Sequence, residues 1–245
     1  VTITQKQRFF SVDISEYEQQ FAILDVVALV KRKLAASAAN TMVSDIINGD
    51  TATGANTNIN YIVGTPPATS SYLAADGLLK KSFGDATAFD AGTLAFTDSL
   101  TMLKALGFNG ADKGNLIWLN SLYAEIGWLG VDEFARQYYN GVGSTTITGK
   151  LPTILGIANK AERWLGEANA AGKVDAATPA NNTKGRSVIA HKAAVQWGTN
   201  GDYYMEIHRV PGSGYQVIGW YFMGHAIAGN AEVGAPTVAS LFNIS

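Results

Sequence analysis

Three histidines, a carboxylate pair and several glycine-rich stretches are the residues best suited to chemistry in this chain. The histidines are His191, His208 and His225. A metal centre needs two or more of them to converge. His208 and His225 fall on one strand pair, described below, roughly 26 Å apart at the usual rise per residue, so they cannot share an ion. Asp13 and Glu16 are spaced like a carboxylate pair, but the first falls on a strand and the second suits a helix N-terminus. Nucleophilic serine motifs are absent: there is no G-x-S-x-G and no S-x-x-K. NGDTATG at 48–54 has the glycines of a phosphate loop without its Lys-Ser/Thr. The tryptophans (118, 128, 164, 197, 220) are scattered, as core or interface anchors are. No catalytic, cofactor-binding or metal-binding residues are assigned, and the chain is read as a non-enzyme with no cofactor.

Composition points the same way. Of 245 residues, 47% are apolar and 16% charged, against about 25% charged in a typical chain. A surface with so few charges is expected to be hidden against partners. The net charge of −2 argues against a surface that coats nucleic acid. With no cysteine there is neither a disulfide nor a thiolate site. The most apolar stretch, FAILDVVALV, is interrupted by Asp25 and is too short for a membrane span.

The element that must organise such a chain is Glu16 to Asn48, which holds neither Gly nor Pro. Val26, Val30, Leu34, Ala38, Met42 and Ile46 recur at helical spacing, flanked by Ile23, Val27, Val43 and Ile47. Ser15 and Glu18 have capping-box spacing, and Asp25 offers a second start. The helix runs at least from Val26 to Ile47, roughly 33 Å, and ends at Gly49, a residue suited to a left-handed turn.

Before it, Val1 to Ile14 alternates as a half-buried strand with a polar middle, TQKQR. No earlier strand exists to pair with it, so its edge is expected to need cover from another chain or from residues preceding Val1. Lys6 and Arg8 sit in that middle, next to Phe9 and Phe10. Two readings stay open for the basic pair, a solvated edge and a contact with a neighbouring subunit.

After Gly49 the sequence predicts a loop with a short strand at Asn58–Val63, then helices over Leu73–Phe83 and Thr97–Leu106. The second is capped by Thr97, with Leu100, Leu103 and Leu106 on one face. Asn115–Asn120 reads as a buried strand; Ser121–Leu129 and Val131–Tyr139 read as helices. A glycine-bounded loop follows at 141–150. Leu151–Ala158 is extended, Ala161–Ala171 a short helix, and 175–185 a polar loop. Ser187–Trp197 reads as strand then helix. Tyr203–Val210 and Tyr215–Ile227 form a hairpin. With Gly212 and Ser213 as its turn, Met205 faces Trp220, Ile207 faces Ile218, Tyr203 faces Phe222, Glu206 faces Gly219 and His208 faces Val217. A last short strand closes the tail.

This order of elements resembles the major capsid proteins of tailed bacteriophages, the HK97-type capsid fold, over essentially the whole chain. VTITQKQRFFSVDISEYEQQ, the long helix and its INGD ending are similar to the second strand of that family's E-loop and its spine helix. LTMLKALGFNGADKGNLIWLNSLYAEI and GKLPTILGIANKA are similar to its A-domain helix and strands. GRSVIAHKAAVQWG, YYMEIHRV and YQVIGWYFMGHAIAG are similar to its closing strands.

The resemblance implies an α+β class and a division into an E-loop strand (1–15), a P-domain with spine helix (16–96) and an A-domain (97–199). A P-domain hairpin (200–227) and a C-terminal return to the A-domain (228–245) complete it. It implies a structural subunit of an icosahedral or prolate virion shell, assembling into hexamers and pentamers around double-stranded DNA that it holds without sequence-specific binding. The partners would be other copies of the chain, with scaffolding, portal and decoration proteins, and no membrane. Lys6, Arg8, Phe9 and Phe10 are the expected inter-subunit contacts. The family's N-terminal arm and first E-loop strand are expected to precede Val1. An encapsulin-like nanocompartment shell shares the fold and is the alternative; an α+β enzyme or ligand-binding domain is the second.

Overall fold

The computed structural model describes residues 3, 5–17, 25–134, 151, 153–199, 204–211, 214–229 and 235–245. Contacts divide the chain into two compact units, Val1–Val43 with Trp197–His225 and Ser44–Gln196 with Ala226–Ser245. The division places 44–96 in the larger unit, whereas the sequence reading grouped those residues with the helix before them. The boundary falls inside the long helix itself.

The smaller unit is built on strand β1 (Lys6–Ile14), the first part of helix α1 (Val26–Asn48) and the strands β7 (Val195–Thr199), β8 (Tyr204–Val210) and β9 (Gly214–Ile227). Asp25 caps α1: its Oδ1 accepts the Ala28 amide at 3.0 Å, satisfying a donor that a helix start otherwise leaves orphaned. Glu16 and Tyr17 are helical, but Glu18, and with it the proposed capping box, lies outside the described residues. Val26, Val30, Leu34 and Met42 are half-buried and Ala38 buried, as their spacing predicts; Val43 is exposed. Ala38 packs with Tyr221 and Met223 of β9, and Phe10 and Met42 close over them.

Strand β1 is not left without a partner. It pairs antiparallel with β9 from Lys6 opposite Met223 to Ile14 opposite Tyr215. Only its far edge carries no strand among the described residues. The expected alternation holds: Val12 and Ile14 turn inward while Ser11 and Asp13 are exposed.

The β8–β9 hairpin is one residue out of the expected register. Tyr204 faces Trp220, Glu206 faces Ile218, Ile207 faces Val217 and His208 faces Gln216. Val210 pairs with Gly214, so three residues rather than two connect the strands; Tyr203 and the loop's Gly212 and Ser213 lie outside the described residues. Gly214 explains the shift. Its φ is +112°, and a Cβ there would collide with the Ile14 carbonyl and lie 2.6 Å from the Glu16 amide. That close approach demands glycine within the ladder and not in the turn.

The larger unit carries a six-stranded sheet in the order β2 (Ala88–Asp90), β10 (Val238–Ile244), β6 (Gly185–His191), β3 (Leu116–Asn120), β5 (Ile157–Ala161) and β4 (Thr153–Ile154). The pairs β2–β10 and β3–β5 are parallel; the others are antiparallel. Helices α2 (Leu78–Gly84), α3 (Phe96–Ala105), α4 (Phe108–Ala111) and α5 (Leu122–Leu129) complete it. One core cluster centres on Trp118 and Trp128, whose rings meet edge-to-face at 5.5 Å, a favoured aromatic geometry. A second gathers Ile47, Leu78, Leu79, Leu165 and Val188.

Gly49 does not take a left-handed conformation. It is glycine because the backbone crosses there: a Cβ would strike the Ala75 carbonyl and sit 2.6 Å from that of Asp45, and the Gly77 amide donates to the Gly49 carbonyl at 2.8 Å.

Several local expectations are corrected. Asn58 and Tyr61 make an isolated bridge and no strand, because the Asn58 and Asn60 amides bond the backbone of Asp50, Ala52 and Asn48 instead. The segment 73–83 breaks at Ala75–Gly77 into a 3-10 turn and α2. Helix α3 starts after Ala95, whose amide donates to Asp98 at 2.8 Å; Thr97 is not the cap. Its buried face is Ser99, Met102 and Leu106, and Leu100 is exposed. Residues 161–171 form no helix: Ala161 ends β5, Leu165 N bonds Glu162 O in a turn, and Ala168 makes an isolated bridge with Lys184. After β6 the chain makes a 3-10 turn over Lys192–Ala194 and continues as β7, not as a helix. Helix 121–129 is confirmed as α5, with Ser121 accepting from Ala124. Its expected successor ends, for the described residues, at Phe134, and the 141–150 loop lies outside them.

Candidate functional site

The structure brings Phe9, Trp220 and Tyr204 together across three strands on one face of the smaller sheet. Phe9 is directly opposite Trp220 on β9, and Trp220 is opposite Tyr204 on β8. The Tyr204 and Trp220 rings stack at 5.8 Å with 15° between planes. Phe9 is 65% exposed and Tyr204 45%, so this is an aromatic surface rather than a core. Strand alternation separates it from the opposite face, where Tyr221 and Met223 are buried against α1.

The four β1 residues singled out from sequence therefore divide by face. Phe10 turns inward and packs with Ala38, Tyr221 and Met223. Arg8, opposite Tyr221, is half-buried. Lys6 is exposed at the strand's start, and Phe9 is exposed on the aromatic face. Tyr204 and Trp220 were not singled out; a correct hairpin register would have set them against each other, but Phe9 joins them through the β1–β9 pairing, for which the sequence reading offered no signal.

A second apolar surface belongs to the larger unit. On α5 the Ala124 and Trp128 side chains are buried, while Leu122, Tyr123 and Ile126 are 53–63% exposed. Ser121 fixes this orientation, since its Oγ also accepts the Arg186 amide of β6 at 3.0 Å.

Polar convergence is limited. Among the described residues no cluster of His, Cys, Asp or Glu is arranged to hold a metal. His208 lies beside Glu206 at 3.1 Å on the exposed face of β8, His225 is buried in β9, and His191 faces Asp112 at 3.8 Å. Asp50, of NGDTATG, is fully buried. It accepts the Ala52 and Ile59 amides and pairs with Lys80 at 2.8 Å. Its role is to tie a loop down, not to receive phosphate. A cavity of about 440 Å³ is walled by Asn48, Asn60, Tyr61, Tyr72, Trp164 and Arg186. Burial brings the Arg186 guanidinium down to about 10, against the opposing fields of Glu167 and Tyr72, so it remains cationic at neutral pH.

No protein-family model matches the sequence, and no curated protein does. Solved structures do match in shape. The capsid of Ralstonia phage GP4 superposes with a TM-score of 0.62 at 12% identity, covering 99% of this chain and 74% of that one. The capsid of cyanophage Pam1 gives 0.61 at 12% identity, covering 98% and 74%. The fold is the HK97-type capsid fold. The SrpI encapsulin of Synechococcus elongatus is similar to this HK97-type chain as well, with a TM-score of 0.59 at 11% identity over 98% and 74%. At such identities the likeness establishes the α+β architecture and says nothing of individual side chains. Among the described residues no helix is long and apolar enough to cross a membrane.

Proposed function

We propose that the chain is a structural subunit of a phage capsid, closing with copies of itself into a shell around packaged double-stranded DNA. The observation that carries this reading is the likeness to phage capsid subunits over 98–99% of the chain. The exposed apolar surfaces agree with it, since monomeric proteins seldom leave such patches uncovered. In this reading the protein is not an enzyme, it resides in the virion, and hexamers and pentamers are its capsomers. Its P-domain is the long helix with the β1–β9 sheet, and its A-domain is formed around the six-stranded sheet. Strand β1 is the returning arm of an E-loop that reaches over a neighbour. Lys6 and Phe9 on β1, with Leu122 and Ile126 on α5, are the subunit contacts, whereas Phe10 acts from within. Arg8 supports the arm's base. Scaffolding, portal and decoration proteins are the further partners.

The encapsulin likeness supports a second reading, a protein nanocompartment of the same architecture. Negative-stain microscopy and light scattering of the purified protein test both. Closed shells or rings of five or six subunits are the expected result. Monodisperse monomers at high concentration, with and without a scaffolding protein, would overturn the shell reading. Nucleic acid inside particles made in the native host favours the virion, and a single co-purifying protein cargo favours the compartment.

A further inference from the structure

The cavity beside Arg186 has no part in the shell reading. It lies wholly within the larger unit. At about 440 Å³ it falls in the range of small-molecule sites, about 300–1,000 Å³. Arg186 is 2% exposed. Its Nε donates to the Gly166 carbonyl at 2.9 Å, but its Nη1 is buried with no hydrogen-bond partner among the described residues. Asn48 lines the same cavity. Its Nδ2 donates to the Trp164 carbonyl at 2.7 Å, while its Oδ1 is buried without a donor. Two residues of the cavity wall thus carry a buried charged donor and a buried acceptor that no described residue answers, and buried groups of both kinds are costly unless something answers them.

We propose that this cavity binds a small oxyanion, a phosphate or carboxylate group on a compact molecule, with Arg186 as its charged donor. The guanidinium fork suits oxygen pairs of that geometry. In this proposal Asn48, also on the cavity wall, takes a hydroxyl of the same ligand through Oδ1, and Tyr61, Tyr72 and Trp164 line the remainder. Glu167 also lines the cavity and is half-buried. Its charge steadies Arg186 when the cavity is empty and opposes an incoming anion. Removing that charge should therefore strengthen binding, the reverse of what loss of a ligand-binding group does.

The test is titration of inorganic phosphate into the full chain at pH 7, with chloride at matched ionic strength as the control. Melting temperature and tryptophan fluorescence are the readouts, because Trp164 is a wall of the cavity. The expected result is a saturable response to phosphate alone. It should be at least about tenfold weaker in Arg186→Gln and about threefold tighter in Glu167→Gln. Should Arg186→Gln fail to fold, Glu167→Gln decides alone, since a half-buried rim residue tolerates that exchange. An equal response to chloride, an unchanged affinity in Glu167→Gln, or a full response in a folded Arg186→Gln would overturn the proposal.

Discussion

Phe10 lies across Gly219, its cross-strand neighbour, with the ring occupying the space where any other residue would carry a Cβ. The ring is thereby lowered onto the cluster of Ala38, Tyr221 and Met223. Gly219→Ala should force Phe10 out of this seat, and overpacking of this kind costs about 1–3 kcal/mol. Hydrogen exchange checks it: the amides of Lys6–Ile14 should lose protection while those of β6 keep theirs. Unchanged protection along β1 would show that another contact holds the strand.

Asp50 and Lys80 form an unequal pair. The carboxylate is fully buried and the ammonium side chain is 29% exposed. Asp50 also accepts two backbone amides, at 3.0 and 2.7 Å. Asp50→Ala should cost about 3–5 kcal/mol, because it leaves those donors and a partly buried cation unanswered. Lys80→Met should cost clearly less, since the amides still satisfy the carboxylate. Urea denaturation of both variants measures the difference, and equal losses would sink this account.

Asp175 ties its polar loop together. Its carboxylate accepts from the Asn181 side chain at 2.7 Å and the Thr178 amide at 2.8 Å, and these bonds hold it below the ordinary carboxylate range. A depressed native value means that the folded state binds its proton less readily than the unfolded chain does. The contribution is therefore present above about pH 4, the unfolded value, and is lost as pH falls through the lower folded one. Denaturation midpoints compared between pH 6 and pH 2 should converge for the native protein and Asp175→Asn at the acid end. A gap that persists at pH 2 would refute the linkage.

The long helix, β1 and β3 were legible because their signals are local: helical spacing from Val26 to Ile46, alternation along β1, an apolar run at 116–119. Strands β2 and β7 were not. What escaped the sequence depended on close approach between distant segments. Gly49 read as a turn former and Gly214 as part of the connection between two strands, yet the first is required by the Ala75 carbonyl and the second by the Ile14 carbonyl. The one-residue error in the β8–β9 register has the same source. It paired Trp220 with Met205 instead of Tyr204, and together with the unforeseen β1–β9 pairing that sets Phe9 opposite Trp220 it hid the aromatic face. The buried Arg186 carried no local signal either. Its neighbours Asn48, Tyr72 and Trp164 are far apart in the chain and meet only at the cavity.

Phe9 and Phe10 are adjacent in sequence and should fail in opposite ways. Phe9 is 65% exposed beside Trp220, so Phe9→Asp should change the stability of the unassembled subunit by no more than about 0.5 kcal/mol. On the shell reading its effect should fall on assembly, because a charge on a face that a neighbouring copy covers must be desolvated without a partner. Phe10→Ala removes an inward ring and should cost the subunit about 2–4 kcal/mol whether or not it assembles. Thermal melts of dissociated protein, set beside particle yield by light scattering, separate the two effects. If Phe9→Asp forms shells at the native yield, the aromatic face of β1, β8 and β9 is not a subunit contact, and the exposed face of α5 becomes the surface to test next.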